Sequence, residues 1–244
     1  MRLMFFYFRN MVGHGMALLA GSSHLKLHVF VRLVAVGIIA FGLTVPQAQA
    51  LPVDLITDGT FQNTSATQDT YLCAVPSPGG TSNCTSALTN WTTTCPTFGC
   101  QGTNAPSTLL FGTDIAAIKS GGKVVISQFN FGYSPGIGLY WNNVLGSTLA
   151  SPGGGNVVAI DGDSNHTSTL SQTINGLNPG SIYDLSFYQA AAEEYSFYGA
   201  TTERWRVSLG SSTATSPLMT TAAQSSVGWS LVSLQFVATA ASEV

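Results

Sequence analysis

Charged side chains are scarce in this sequence, and basic ones are the scarcest. Its 244 residues include eight lysines and arginines against eleven aspartates and glutamates. Four of the basic residues lie in positions 1–50, so positions 51–244 keep four basic and eleven acidic side chains, a formal charge of −7. Phosphate backbones are bound by clusters of lysine and arginine. The sequence therefore argues against nucleic acid as a partner, and none is predicted.

Serine catalysis needs a nucleophile, a histidine base and an orienting acid. The G-x-S-x-G spacing of many hydrolase nucleophiles occurs once, at Gly132–Gly136, but serine and glycine are so frequent in this sequence that the match is uninformative. His166 is the only histidine after position 50, and its place in a polar turn indicates a surface residue.

Glu193 and Glu194 are adjacent, whereas glycoside hydrolysis needs two carboxylates about 5–10 Å apart across the scissile bond. Neighbours in a strand point to opposite faces, so a solvated loop is the better interpretation. Glu203 is an alternative partner for either glutamate. We expect a protein without catalytic activity.

The longest apolar run lies near the N-terminus. Val29–Val45 follows Lys26 and precedes Ala48-Gln49-Ala50, the small-x-small pattern of a cleavage site. We predict that residues 1–50 are a signal peptide outside the fold, with Met11 or Met16 as alternative starts. A transmembrane anchor is the alternative, but the apolar run is near the short end for spanning a bilayer. The predicted location is secreted or cell surface.

Residues 51–244 are predicted to form a single domain. All four cysteines of the chain fall within it, in an insert at about 71–101: Cys73, Cys84, Cys95 and Cys100. An even cysteine count after a signal peptide indicates disulfides. Nearness in sequence favours Cys73–Cys84 and Cys95–Cys100, and two other pairings remain open. A zinc site is the alternative, although only Cys95 and Cys100 have the spacing for it.

Turn formers divide the domain into short apolar strands, and no helix is indicated. In Ser181–Gln189, residues Tyr183, Leu185 and Phe187 fall on one face, as expected for a strand with one buried side. Leu109–Ile118 is either a strand or a short helical turn. The other predicted strands are Val53–Thr57, Leu88–Thr93, Lys123–Phe131, Gly136–Trp141, Val157–Ile160, Thr167–Ile174, Arg204–Leu209 and Trp229–Ala238. The pattern predicts an all-β, antiparallel sandwich, with Phe61 in the core.

Six segments in order carry a family resemblance: Asp54–Phe61, Asn90–Thr92, Pro152–Gly162, Leu170–Phe187, Thr202–Val207 and Gly228–Trp229. The set resembles secreted bacterial proteins that often end in a PEP-CTERM (exosortase) sorting tail. Their fold is similar to the galactose-binding-like jelly roll of carbohydrate-binding modules. The cysteine-bearing insert departs from this family, and no sorting tail is present. Because the relatives continue through one or two closing strands, we expect a C-terminal truncation and an unpaired sheet edge.

The resemblance implies non-catalytic binding of a carbohydrate or exopolysaccharide. A structural or adhesive envelope protein without a small ligand is the second hypothesis, and a glycan-acting enzyme is the third. No membrane partner is expected after signal cleavage, unless a C-terminal anchor exists.

Aromatic side chains on a sheet offer flat apolar surfaces with polar edges, which suit a sugar ring. The candidates for such a platform, with their polar neighbours, are Tyr140, Trp141, Asp184, Tyr188, Gln189, Tyr195, Tyr198, Arg204 and Arg206. Trp91, Trp205 and Trp229 are predicted to be structural.

Asp161, Asp163 and Asn165 have the alternating spacing of a calcium loop, but the glycine and final glutamate of an EF-hand are missing. A plain acidic turn is the better interpretation. The family resemblance adds Asp58 as a second candidate for a structural calcium, and no other cofactor is predicted.

Overall fold

The computed structural model describes residues 2–14, 54–64, 70–71, 88–94, 108–112, 117–120, 123–129, 137–141, 147–161, 169–195 and 197–244. This part of the chain is built of strands, turns and irregular segments without a helix. It therefore has no helix that is long and apolar enough to span a membrane. The prediction of an all-β chain is confirmed here.

Most of the strands are short, and three of them have 12 or 13 residues. Their bounds are β1 (Arg2–His14), β2 (Thr70–Tyr71), β3 (Thr92–Thr94), β4 (Thr108–Phe111), β5 (Ala117–Ser120), β6 (Lys123–Phe129), β7 (Ile137–Tyr140), β8 (Val157–Asp161), β9 (Thr169–Ser171), β10 (Ile174–Asn175), β11 (Ile182–Glu193), β12 (Thr201–Glu203), β13 (Arg206–Leu209), β14 (Ser212–Thr215), β15 (Met219–Thr221), β16 (Ser226–Val237) and β17 (Ser242–Glu243).

The largest sheet has six antiparallel strands in the order β16-β11-β1-β8-β4-β2. Smaller ladders are β3-β9, β10-β17, β12-β15, β13-β14 and the three-stranded β5-β6-β7. Gly176 and Gly180 have φ values of 79° and 84° in the turns that precede β11. Glycine suits these left-handed positions because it carries no Cβ, which agrees with the turns predicted there.

One face of the large sheet carries the main core. Alternation along each strand brings large apolar side chains to this face, namely Leu110, Val158, Ile160, Tyr183, Leu185, Phe187, Val232 and Phe236. Phe61, Leu88, Trp91, Ile174, Leu177 and Leu209 pack against them from outside the sheet. Phe61 has no exposed area, although its φ of 52° is rare for an aromatic residue. Burial of each such side chain contributes about 1.5–3 kcal/mol.

β1 belongs to residues 1–50, which are predicted to be a signal peptide. In the uncleaved chain, Arg2–His14 pairs with β11 on one side, and Leu3–Phe6 pairs with β8 on the other. The physical reason is local, because the run from Leu3 to Phe8 consists of apolar and aromatic residues, several of which favour strands. Cleavage of the leader stays a prediction.

Two expectations are corrected. Residues 54–57 of the predicted first strand are irregular. Leu109–Ile118 is not one continuous strand, because β4 ends at Phe111 and Gly112 lies outside any strand. The four cysteines lie outside the described residues.

Candidate functional site

A cleft of about 270 Å³ opens beside the core face of the large sheet. Its floor is apolar and includes Ile160 of β8, Leu185 and Phe187 of β11, and Phe236 of β16. The other lining residues are Ile56, Trp91, Thr169, Leu170, Ser171, Gln172, Ile174, Trp205, Arg206, Val207, Ser208, Leu209 and Val244. A mostly apolar cleft with a few polar groups is the usual form of a small-molecule site.

Two indole rings line this cleft. Trp91 is 8% exposed, and its Nε1 donates a hydrogen bond of 3.1 Å to the carbonyl oxygen of Asp58. Its ring packs against Phe61 at a centroid distance of 5.4 Å, so its orientation is set by the core. Trp205 is half-buried and packs against the same core. Both tryptophans were predicted to be structural, and their place in the cleft was missed.

The cleft's polar side chains come from two segments. Thr169, Ser171 and Gln172 lie in and after β9, whereas Arg206 and Ser208 lie on β13. Arg206 is exposed and supplies a cationic hydrogen-bond donor. It is the one member of the predicted ligand-binding set that lines the cleft.

Gln172 holds two irregular segments together through its side-chain amide. Its Oε1 accepts a hydrogen bond from the backbone nitrogen of Thr57 at 2.9 Å. Its Nε2 donates to the carbonyl oxygens of Thr57 and Asn90, both at 2.8 Å. The amide thus replaces the backbone partner that a strand at residues 54–57 would need, and this explains how that segment is held without a ladder.

Tyr140 and Trp141 are corrected as platform residues because both side chains are buried, at 1% and 0% exposure. The indole nitrogen of Trp141 donates to the carbonyl oxygen of Thr148 at 2.8 Å, and its ring meets Trp229 edge-on with centroids 6.0 Å apart. A side chain without exposed area has no face to offer a sugar.

The remaining platform candidates do not converge on the cleft. Tyr195 is half-buried and its ring lies 5.7 Å from that of Tyr140, whereas Tyr198 is 77% exposed. Asp184 accepts a hydrogen bond of 2.9 Å from Gln235. Tyr188 is half-buried, Arg204 is exposed and Gln189 is buried, and none of the three lines the cleft.

Asp58 is occupied by its own turn. Its Oδ1 accepts hydrogen bonds from the backbone nitrogen of Gln62 at 3.0 Å and the hydroxyl of Thr60 at 3.3 Å, and its Oδ2 accepts one from the backbone nitrogen of Asn63 at 3.1 Å. This pattern is the self-capping typical of aspartate in turns.

In the part of the chain that the structure describes, no three His, Cys, Asp or Glu residues lie close enough together to bind a metal ion. Of the predicted calcium loop, Asp161 lies at the end of β8. Asp163 and Asn165 lie outside the described residues.

The glutamates considered for catalysis are engaged in structural contacts. Glu193 is buried and accepts a hydrogen bond from the backbone nitrogen of Gln224. Glu203 is buried and accepts one from the hydroxyl of Thr221 at 3.1 Å. Glu194 forms a β-bridge with Leu139. No carboxylate of the described residues lines the cleft, so it contains no acid–base pair from this part of the chain.

Glu243 fastens the segment that ends at the cleft. Its Oε1 accepts hydrogen bonds from the backbone nitrogens of Thr239 and Ala240 at 2.8 and 3.0 Å, and from the Thr239 hydroxyl. The Thr239 hydroxyl contributes most to lowering the pKa of this carboxyl, followed by the Thr239 backbone. Val244, the next residue, lines the cleft and accepts a hydrogen bond from the backbone nitrogen of Gly210 at 2.9 Å.

No protein-family model, curated protein or solved structure shows a significant match to this chain.

Proposed function

We propose that the protein is a secreted, non-catalytic binding module for a carbohydrate or exopolysaccharide, with the cleft as its site. The observation that carries this proposal is the presence of two indoles, Trp91 and Trp205, over an apolar floor. Sugar rings present C–H faces that pack on aromatic rings and hydroxyls that need polar partners. Arg206, Ser171 and Thr169 line the cleft and supply polar groups for such hydroxyls.

Several finer points belong to this proposal. We propose a jelly-roll sandwich of the galactose-binding-like type, export through removal of residues 1–50, and kinship with the PEP-CTERM proteins. The ordered segments that resemble those proteins support each of them. A structural calcium at Asp58 rests on the same resemblance, whereas one at Asp161, Asp163 and Asn165 rests on their alternating spacing.

Among the described residues, none that lines the cleft is a carboxylate, and this supports binding over hydrolysis. Glycosidases place a pair of carboxylates at the scissile bond, whereas Glu193 and Glu203 are buried and hydrogen-bonded to backbone or hydroxyl groups elsewhere.

A glycan array screened with the folded chain, with and without calcium, tests the proposal. We expect binding to a defined class of glycans, and a loss of signal on chelation if calcium orders the site. A demonstrably folded sample that binds no glycan under either condition would refute the carbohydrate function.

A structural or adhesive role is the second candidate, and one observation favours it. Ile182 of β11 and Val237 of β16 are cross-strand partners, and they are 44% and 46% exposed. Leu231 of β16 is 48% exposed. Exposed apolar residues on the outermost strand of the large sheet and on its neighbour favour association with another surface. Sedimentation analysis that shows concentration-dependent assembly of glycan-negative protein would support this role.

A further inference from the structure

β1 joins the two halves of the large sheet. It lies between β11 and β8, which are not neighbours of each other in the strand order of the described residues. Arg2–His14 runs antiparallel along β11, and Leu3–Phe6 runs antiparallel along β8. Without β1, the sheet would separate into β16-β11 and β8-β4-β2.

The space that β1 fills between β8 and β11 is called the slot, and the strands on both sides of it are buried. On the β8 side, Val158 and Ala159 have no exposed area, and on the β11 side Ala190, Ala191 and Ala192 are at most 3% exposed. Backbone groups at such a position need hydrogen-bond partners, because water does not reach them freely.

The register defines the chemistry of an occupant. Leu3–Phe6, four apolar residues, lie between β8 and β11, and Arg2 lies opposite Glu193. An occupant that fits is an extended segment with one basic residue followed by four apolar residues.

β1 lies inside the predicted signal peptide. Export with cleavage after Ala50 would remove it and leave two unpaired strand edges in an apolar setting, which is an aggregation hazard unless the edges are covered. The inference below rests on that part of the proposed function, namely export, and not on glycan binding.

We propose that the slot between β8 and β11 is a strand-accepting site, which β1 fills before export and an extended apolar segment of a partner polypeptide fills afterwards. Strand addition of this kind gains affinity from backbone hydrogen bonds and specificity from alternate side chains. A second copy of this chain is a poorer donor, because it would lose its own β1 and would have to withdraw another strand from its sheet.

The test uses the full chain with a specific protease site placed between positions 50 and 51, cleaved only after folding. A fluorescent peptide of residues 2–14 is then added in excess. The matched control is the same peptide with Phe5→Pro, which removes a backbone donor from the strand. The uncleaved chain is the second control, since its slot is filled.

We expect the cleaved chain to retain one labelled peptide, with slower amide exchange in β8 and β11 than in the peptide-free sample. The Phe5→Pro peptide should bind at least about tenfold more weakly, and the uncleaved chain should bind neither. Equal binding of both peptides would overturn the proposal. So would a peptide-free monomer whose β8 and β11 amides are already fully protected, or a dimer that excludes the peptide.

Discussion

At the residue scale, single polar side chains fasten irregular segments that no ladder holds. Gln172 hydrogen-bonds Thr57 and Asn90, and the hydroxyl of Tyr183 accepts a hydrogen bond from the backbone nitrogen of Asn178 at 2.8 Å. Glu243 does the same for Thr239 and Ala240. Each contact is local enough to be removed by one substitution.

Gln172→Ala is expected to lower the free energy of unfolding by about 2–3 kcal/mol, because three hydrogen bonds to backbone groups are lost, of which the one to Asn90 is partly buried. Urea denaturation measures the change. Gln235→Ala is the control, since that exposed amide makes one hydrogen bond to Asp184. A similar, small effect of both variants would contradict the role given to Gln172.

Tyr183→Phe removes one hydroxyl from a ring that is 4% exposed. We expect a loss of about 1 kcal/mol, the usual net value of one hydrogen bond, in the free energy of unfolding by urea. Tyr198→Phe, at a side chain that is 77% exposed, should change nothing measurable. A neutral Tyr183→Phe variant would show that the contact with Asn178 adds no stability.

The contribution of Glu243 to the stability of the fold should depend on pH. Hydrogen bonds from Thr239 lower the pKa of its carboxyl below the ordinary value of 4.5, so the ionised form is favoured in the folded state. Its contribution is fully present above that ordinary value and is lost as the pH falls through the folded pKa. The melting temperatures of the native protein and Glu243→Gln should therefore differ at neutral pH and converge in acid. A difference that stays constant with pH would contradict this assignment.

At the scale of single elements, alternation predicted which side chains of a strand are buried. Tyr183, Leu185 and Phe187 of β11 do lie in the core, and Phe61 was identified correctly. These predictions succeed because the period of a strand is local to it. The irregular segment at 54–57 was not predictable, because its partner is a side chain more than a hundred positions away.

The loop before β8 offers a matched test of packing. Gly154 and Gly155 both have positive φ, at 79° and 76°. A Cβ at Gly155 would lie 2.7 Å from the carbonyl oxygen of Thr60, whereas one at Gly154 would meet nothing within 4 Å. Gly154→Ala is expected to cost about 1–2 kcal/mol from backbone conformation alone.

Gly155→Ala should cost at least about 1–3 kcal/mol more than Gly154→Ala, as is usual for overpacking, because the Thr60 backbone must move. Chemical denaturation of both variants gives the comparison. An equal loss of unfolding free energy in both variants would show that the backbone at Thr60 moves without strain and does not fix the start of β8.

At the scale of the whole molecule, the cleft depends on segments that are distant in sequence. Trp91 and Trp205 are 114 positions apart in the sequence, and only the fold brings both to the apolar floor of the cleft. Neither residue has a neighbouring sequence motif that marks a ligand site. Tyr140 and Trp141 were the residues predicted for the platform, but they pack against Tyr195 and Trp229 in the interior. The adjacency of Trp205 and Arg206 was the one available signal.

The most direct test of the account is a calorimetric titration of the best glycan from the array into the native protein, Trp205→Ala and Tyr198→Ala, each checked for folding by circular dichroism. Loss of an aromatic stacking surface in the cleft should weaken binding by Trp205→Ala about tenfold or more, while Tyr198→Ala binds as the native protein does. Unchanged affinity in Trp205→Ala, or a loss confined to Tyr198→Ala, would contradict the assignment of the cleft as the binding site.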